Sequence, residues 1–175
     1  MLRTITFVSA LMVATSAGAQ HAHQHGNMPK ETGQATFAAI AEIAALLYSD
    51  PATDWETVNL DALREHLLDM DRVTMGALVD VNEGPDATTF AVTGTGEVIG
   101  AIQRMTAAHS GMLATETGWV VSTQRTETGA VMRIATNDPA DHARVKGLGF
   151  FGVMTIGAHH QMHHLAIARG VDPHH

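Results

Sequence analysis

The residues with the clearest chemical potential are histidines, and four of them fall within six positions near the C-terminus. His159 and His163 are four residues apart, as are His160 and His164. On a helix, residues three or four apart share a face, so each pair aims two imidazoles at one point. This HxxxH spacing is typical of a metal site, although the glutamate of the catalytic HExxH motif is absent. The alternative is a polar, solvated patch.

His109 is the second candidate ligand. The predicted helix around it has apolar residues at alternating steps of four and three: Val98, Ile102, Met105, His109 and Met112. Met105 and Met112 therefore flank His109 by one turn on each side. A thioether is a soft ligand that suits Cu(I), and imidazole suits Cu(I), Cu(II) and zinc. The simpler interpretation is a core histidine satisfied by a hydrogen bond, with methionine as core filler.

His66 is a third candidate, on a predicted helix beside Asp69 and Met70. It would complete a metal site if that helix packs against the last one, and otherwise it is an exposed helix histidine. His142 falls among polar residues in a predicted first helical turn and is interpreted as an ordinary surface residue.

The composition supports a metal function and excludes several others. The chain has 175 residues with twelve histidines and ten methionines. It has no cysteine, which excludes disulfides, thiolate clusters, CxxCH haem attachment and a cysteine nucleophile. Ten Lys and Arg stand against eighteen Asp and Glu, a formal net charge of −8. With no basic run, nucleic-acid binding is not expected.

The N-terminus predicts export. Residues 1–19 combine Arg3, an apolar run over 5–16 and the small residues of 17–19, which is the order of a secretory signal peptide. The run is shorter than the ~20 residues of a membrane span, so cleavage is favoured over an anchor. With neither cysteine nor a glycosylation sequon, the periplasm is the favoured location, and otherwise the protein is secreted.

Residues 20–33 follow as a predicted flexible tail. Its alternating histidines, His21, His23 and His25, form a tract that would bind metal loosely and deliver it inward. Near the other end, residues 147–168 lack charged side chains, but their nonpolar part is too short for a bilayer span. We therefore expect no stable membrane insertion of the mature chain.

The remaining residues, 34–175, predict one α+β domain. Apolar spacing of three and four predicts helices over 34–49 and from Asn59 onward. Two predicted hairpins follow, each leading into a helix: strands 78–82 and 88–93 before helix 94–114, and strands 119–125 and 130–136 before a helix from Pro139 to Gly170, broken near 147–149. Two ββα units of this kind predict a four-stranded antiparallel sheet with helices packed on one face.

The two ββα units also indicate an internal repeat. Met105-Thr106 precedes His109, and Met154-Thr155 precedes His159. If the units pack as equivalent halves, the helices that carry these histidines become neighbours. The predicted metal site would then lie between the last helix and helix 94–114.

The C-terminal segment resembles the end of DinB-like metal-binding helical bundles. The resemblance is carried by the His-rich helix running into Ala168-Arg169-Gly170-Val171-Asp172-Pro173. It is confined to this segment, and two predicted hairpins distinguish the chain from an all-helical bundle. No residue roles follow from it.

The sequence thus predicts an exported His/Met-rich protein that binds, stores or transfers a metal, with copper preferred. A zinc- or iron-dependent enzyme is the alternative, with the same histidines as ligands and Glu42, Asp69 or Asp71 as the available base. Haem held by His and Met ligands is a further alternative. The expected partner is the metal ion, with another metal-trafficking protein as a candidate, and the oligomeric state stays open.

Overall fold

A computed structural model of the protein describes residues 35–157 and 160–171, with only the backbone at 160 and 161. The described elements follow one another as α1 (Ala35–Ser49), α2 (Leu60–Gly76), β1 (Leu78–Glu83), β2 (Ala87–Thr93), α3 (Glu97–Thr117), β3 (Val120–Thr126), β4 (Gly129–Ala135), α4 (Pro139–Val153) and α5 (His160–Ala168). The predicted signal peptide, the tail with His21, His23 and His25, and His159 lie outside the described residues.

The four strands form one antiparallel sheet in the order β1-β2-β4-β3. Alternate residues of the central strands point to one face and are fully or almost fully buried: Thr88, Phe90, Val92, Ala130, Met132 and Ile134. Helices α3 and α4 pack against this sheet. The predicted α+β class, with two ββα units sharing a sheet, is confirmed.

Local signals at the element boundaries explain these bounds. The Asn59 side chain accepts a hydrogen bond from the Ala62 N–H and so caps α2. Asp138 caps α4 in the same way, with Pro139 at the first helical position, where its missing N–H costs nothing. Both helix starts match the prediction.

Equivalent elements of the two ββα units begin at a constant spacing along the chain. β1 and β3 begin at Leu78 and Val120, β2 and β4 at Ala87 and Gly129, and α3 and α4 at Glu97 and Pro139, each pair 42 positions apart. With this offset, the position in the second unit that corresponds to Met105 is Gly147 and not Met154. The predicted alignment of the two Met-Thr pairs is therefore wrong.

The predicted final helix is divided in two. Gly149 has φ 60, a kink inside α4 near the predicted break, and a turn over residues 154–157 ends the helix before α5. On one continuous helix, the sequence steps of three and four would place Val153, Ile156, His160, His163 and Ile167 on a single apolar stripe. Because the turn resets the helical phase, these residues do not form one stripe.

The packing of α5 differs from the expectation. A second apolar cluster, separate from the sheet core, is formed by α1, α2 and α5 through Ile43, Leu47, Leu63, Leu67, Leu165 and Ala168. Thus α5 packs mainly on α1 and α2, whereas α3 packs on the sheet and on α2. The predicted close pairing of the last helix with α3 is not observed for α5, which follows the turn over residues 154–157 and contacts α1 and α2 instead. No described helix has the length and apolar character needed to cross a membrane.

Candidate metal centre

The packing of α2 against α5 builds the candidate site. The N–H of Asn59 donates a hydrogen bond of 2.7 Å to the Ala168 carbonyl, joining the start of α2 to the end of α5. Leu63 and Leu67 of α2 pack in one cluster with Leu165 of α5. Because the start of α2 meets the end of α5, the two helices run in opposite directions. The second turn of α2 therefore lies beside the first turns of α5.

This arrangement gathers three histidine rings. The ring centroid of His66 lies 4.9 Å from that of His163 and 5.5 Å from that of His164. The centroids of His163 and His164 are 6.3 Å apart. His164 is buried, whereas His66 and His163 are half-buried. The two helices thus bring together imidazoles that are far apart in sequence.

The separations suit a shared metal ion. With metal–nitrogen bonds of about 2.0–2.1 Å, two imidazoles on one tetrahedral ion place their centroids roughly 5 Å apart. The two distances from His66 fall near that value. Across the described residues, however, no three His, Asp or Glu side chains have donor atoms arranged to hold an ion. An ion shared by these three rings would therefore require side-chain rotation.

His109 has a clear structural contact. Its Nε2 lies 3.0 Å from the carbonyl oxygen of Val153, at the end of α4, and the side chain is buried. A carbonyl only accepts, so this contact requires the proton on Nε2. The bond supports a core role for His109, and its role as a metal ligand stays a prediction.

The flanking methionines lie in different surroundings. Met105 packs against the sheet core and also lines the cavity described below. Met112 lies near Gly157 in the turn after α4, where a Cβ added to the glycine would be 3.5 Å from Met112 Cγ. The two methionines that flank His109 along α3 thus have different neighbours in the structure.

An ion cluster joins α2 to α3 one turn beyond His66. Asp69 accepts hydrogen bonds from Arg104 Nε at 2.7 Å and Nη2 at 2.8 Å, and from Arg72 at 3.0 Å. Arg72 also donates to Glu97 at 2.6 Å. Burial acts to raise the pKa of Asp69, but the hydrogen bonds from Arg104 and Arg72 outweigh it and hold that pKa below its usual value.

This ion cluster affects whether Asp69 could act as the general base of a metal-dependent enzyme, a role that the sequence left open. A carboxylate with two guanidinium partners and a lowered pKa is a weak base. The i, i+3 spacing of Asp69 and Arg72 is visible in the sequence. The contact with Arg104 depends on the packing of α2 on α3, which local spacing does not reveal.

A cavity of about 690 Å³ opens beside His66. Its polar lining comes from Asn59, Glu65, His66, Asp69, Arg104 and Arg125, and its apolar lining from Ala62, Met105, Ala107, Ala108, Ile167 and Val171. The cavity therefore lies between α2, α3, the end of α5 and the end of β3, with His66 on its wall.

Comparison with known proteins gives no relatives. No family model matches the chain, and neither does any curated protein or solved structure.

Proposed function

We propose that this protein binds a metal ion between α2 and α5, with His66, His163 and His164 as ligands. The observation that carries the proposal is the approach of His66 to both α5 histidines, at 4.9 and 5.5 Å between ring centroids. Histidine rings that approach one another across two packed helices are a common way to build a metal site in a helical layer.

Copper is the metal we favour. The three candidate ligands are imidazoles, and divalent copper binds nitrogen sites more tightly than the other first-row divalent ions. Met105 lines the same cavity as His66 and offers a thioether, the soft donor that suits Cu(I). The role is binding, storage or transfer of the ion, and a metal-trafficking protein would then be the exchange partner.

Export belongs to the same proposal. A signal peptide over residues 1–19 would direct the chain to the periplasm. Because the chain has no cysteine, none of its own thiols would compete there with a His/Met site for copper. Mass spectrometry of the N-terminus of the protein from a periplasmic fraction tests this. A chain beginning at Gln20 supports export, and an intact Met1 in the cytoplasmic fraction contradicts it.

The metal is tested on the protein purified from its native compartment without added metal. Elemental analysis should find copper in stoichiometric amount. Titration of the metal-free protein against a chromophoric Cu(I) chelator then measures affinity, with zinc as the comparison ion. Absence of bound copper, together with failure to compete with the chelator, would refute the proposal.

A zinc- or iron-dependent enzyme is a second candidate, and one observation favours it. A cavity of about 690 Å³ borders His66, so a substrate could approach a metal held there. Zinc or iron in the purified protein, with hydrolytic or oxidative turnover lost in His66→Gln, would favour the enzyme over copper transfer.

A further inference from the structure

The cavity has the size and lining of a small-molecule site. Its volume of about 690 Å³ falls within the ~300–1,000 Å³ range of ligand pockets. Its apolar wall is supplied by Ala62, Met105, Ala108 and Ile167. An apolar wall of this kind binds the body of a ligand, and a few polar groups then fix its orientation.

Most charges at the cavity are already paired within the protein. Asp69 is held by Arg104 and Arg72, as described above. Glu65 lies 2.6 Å from Arg64. Among the described residues, Arg125 is the one charged cavity residue for which no ion pair is found.

The sheet aims Arg125 toward the cavity. Arg125 pairs with Ala130 across β3 and β4, and directly paired residues share a face. Ala130 is buried on the helix side, so Arg125 also projects to that side. The Gln103 side chain of α3 donates a hydrogen bond of 2.8 Å to the Thr126 carbonyl, which fixes the end of β3 against α3.

We propose that this cavity binds a small monocarboxylate with an apolar body. The carboxylate pairs with the Arg125 guanidinium, whose fork matches two carboxylate oxygens, and the apolar body lies against Met105 and Ile167. A cationic ligand is disfavoured, because the Arg125 guanidinium would repel its charge. The site goes beyond the metal centre and does not require a metal ion.

The test uses the full chain, freed of metal by a chelator, with octanoate and octanamide as matched probes. Calorimetry should show octanoate binding about tenfold more tightly than octanamide, because only the carboxylate forms a charge-assisted pair. In Arg125→Gln, octanoate affinity should fall about tenfold and octanamide affinity should stay unchanged. Arg133→Gln is the matched control, since Arg133 also lacks an ion pair in the described structure but lies on the opposite face of β4.

A third variant tests the cavity itself. Ala108→Phe should fill the space and weaken both probes, while an unchanged thermal midpoint shows that the variant folds. The proposal is overturned if wild type binds neither probe, if the two probes bind equally, or if Arg133→Gln weakens octanoate as much as Arg125→Gln. Since no metal is present, these outcomes are independent of the copper proposal.

Discussion

The imidazole of His66 lies against that of His163, with centroids 4.9 Å apart and ring planes inclined by 58°. The two residues belong to α2 and α5, and no local spacing connects them. Their approach is set by the leucine cluster between these helices and by the hydrogen bond from Asn59 to Ala168. Any change that weakens the docking of α5 on α2 should therefore weaken the site.

The first prediction concerns the ligands. Mutating a residue that only hydrogen-bonds to a metal ligand commonly lowers metal affinity about 10–100-fold. His66→Gln and His163→Gln each remove a ligand itself, so each should lower copper affinity by about 100-fold or more. Chelator competition at fixed pH measures the affinity, and the two losses should be similar if both rings bind one ion.

His142→Gln is the matched control for these variants. His142 is a half-buried histidine of α4, an element outside the α1–α2–α5 cluster. Its substitution should leave copper affinity within about twofold of wild type, since it removes no candidate ligand. A loss in His142→Gln equal to that in His66→Gln would argue against the α2–α5 site.

The second prediction separates two roles of His109. His109→Ala removes the hydrogen bond to the Val153 carbonyl in a buried setting, so the free energy of unfolding should fall by about 1–3 kcal/mol. Denaturant unfolding measures this change in the metal-free protein. Copper affinity is then measured on the folded variant, and a loss as large as that of His66→Gln would show that His109 is also a ligand.

The sequence predicted the fold more fully than the site, and the reason is physical. Strand alternation and the caps at Asn59 and Asp138 are local signals, so the elements and their order were predicted closely. The course of α5 depends on the turn at 154–157 and on which apolar face it meets, which are long-range effects. The histidine spacing within α5 is a local signal and was visible in the sequence. The expected neighbour of these histidines was His109, with His66 as a further ligand only if its helix packs against the last one.

The third prediction concerns pH. The folded state holds the pKa of Asp69 below its ordinary value of 3.8, so ionised Asp69 stabilises the fold above that pH. This contribution is lost as the pH falls below 3.8 and through the lower folded pKa. Asp69→Asn should lower the free energy of unfolding by about 1–2 kcal/mol at neutral pH, a modest value because Arg104 is largely exposed.

The measurement is denaturant unfolding of wild type and Asp69→Asn across an acid series. The difference in unfolding free energy should be constant above about pH 5 and shrink as the pH falls below 3.8. A difference that grows toward acid pH would mean that burial, rather than the arginines, controls Asp69.

The last prediction addresses how α5 ends. Gly170 has φ 79, its N–H donates to the Ile167 carbonyl, and the Val171 N–H donates to the Ala166 carbonyl. This pair of bonds is a Schellman motif, which favours glycine at the left-handed position. A Cβ at Gly170 would also lie 2.7 Å from the Thr57 carbonyl oxygen, in the segment that leads into α2.

Gly170→Ala should therefore lower the free energy of unfolding by about 1–3 kcal/mol, through backbone strain and the close contact with Thr57. Gly111→Ala is the matched control, because Gly111 is an exposed position within α3 where an added Cβ meets nothing within 4 Å. It should raise stability by about 0.5–1 kcal/mol. Since Gly170 fixes the end of α5 against α2, Gly170→Ala should also weaken copper binding, and unchanged copper affinity would show that the α5 histidines do not depend on this docking.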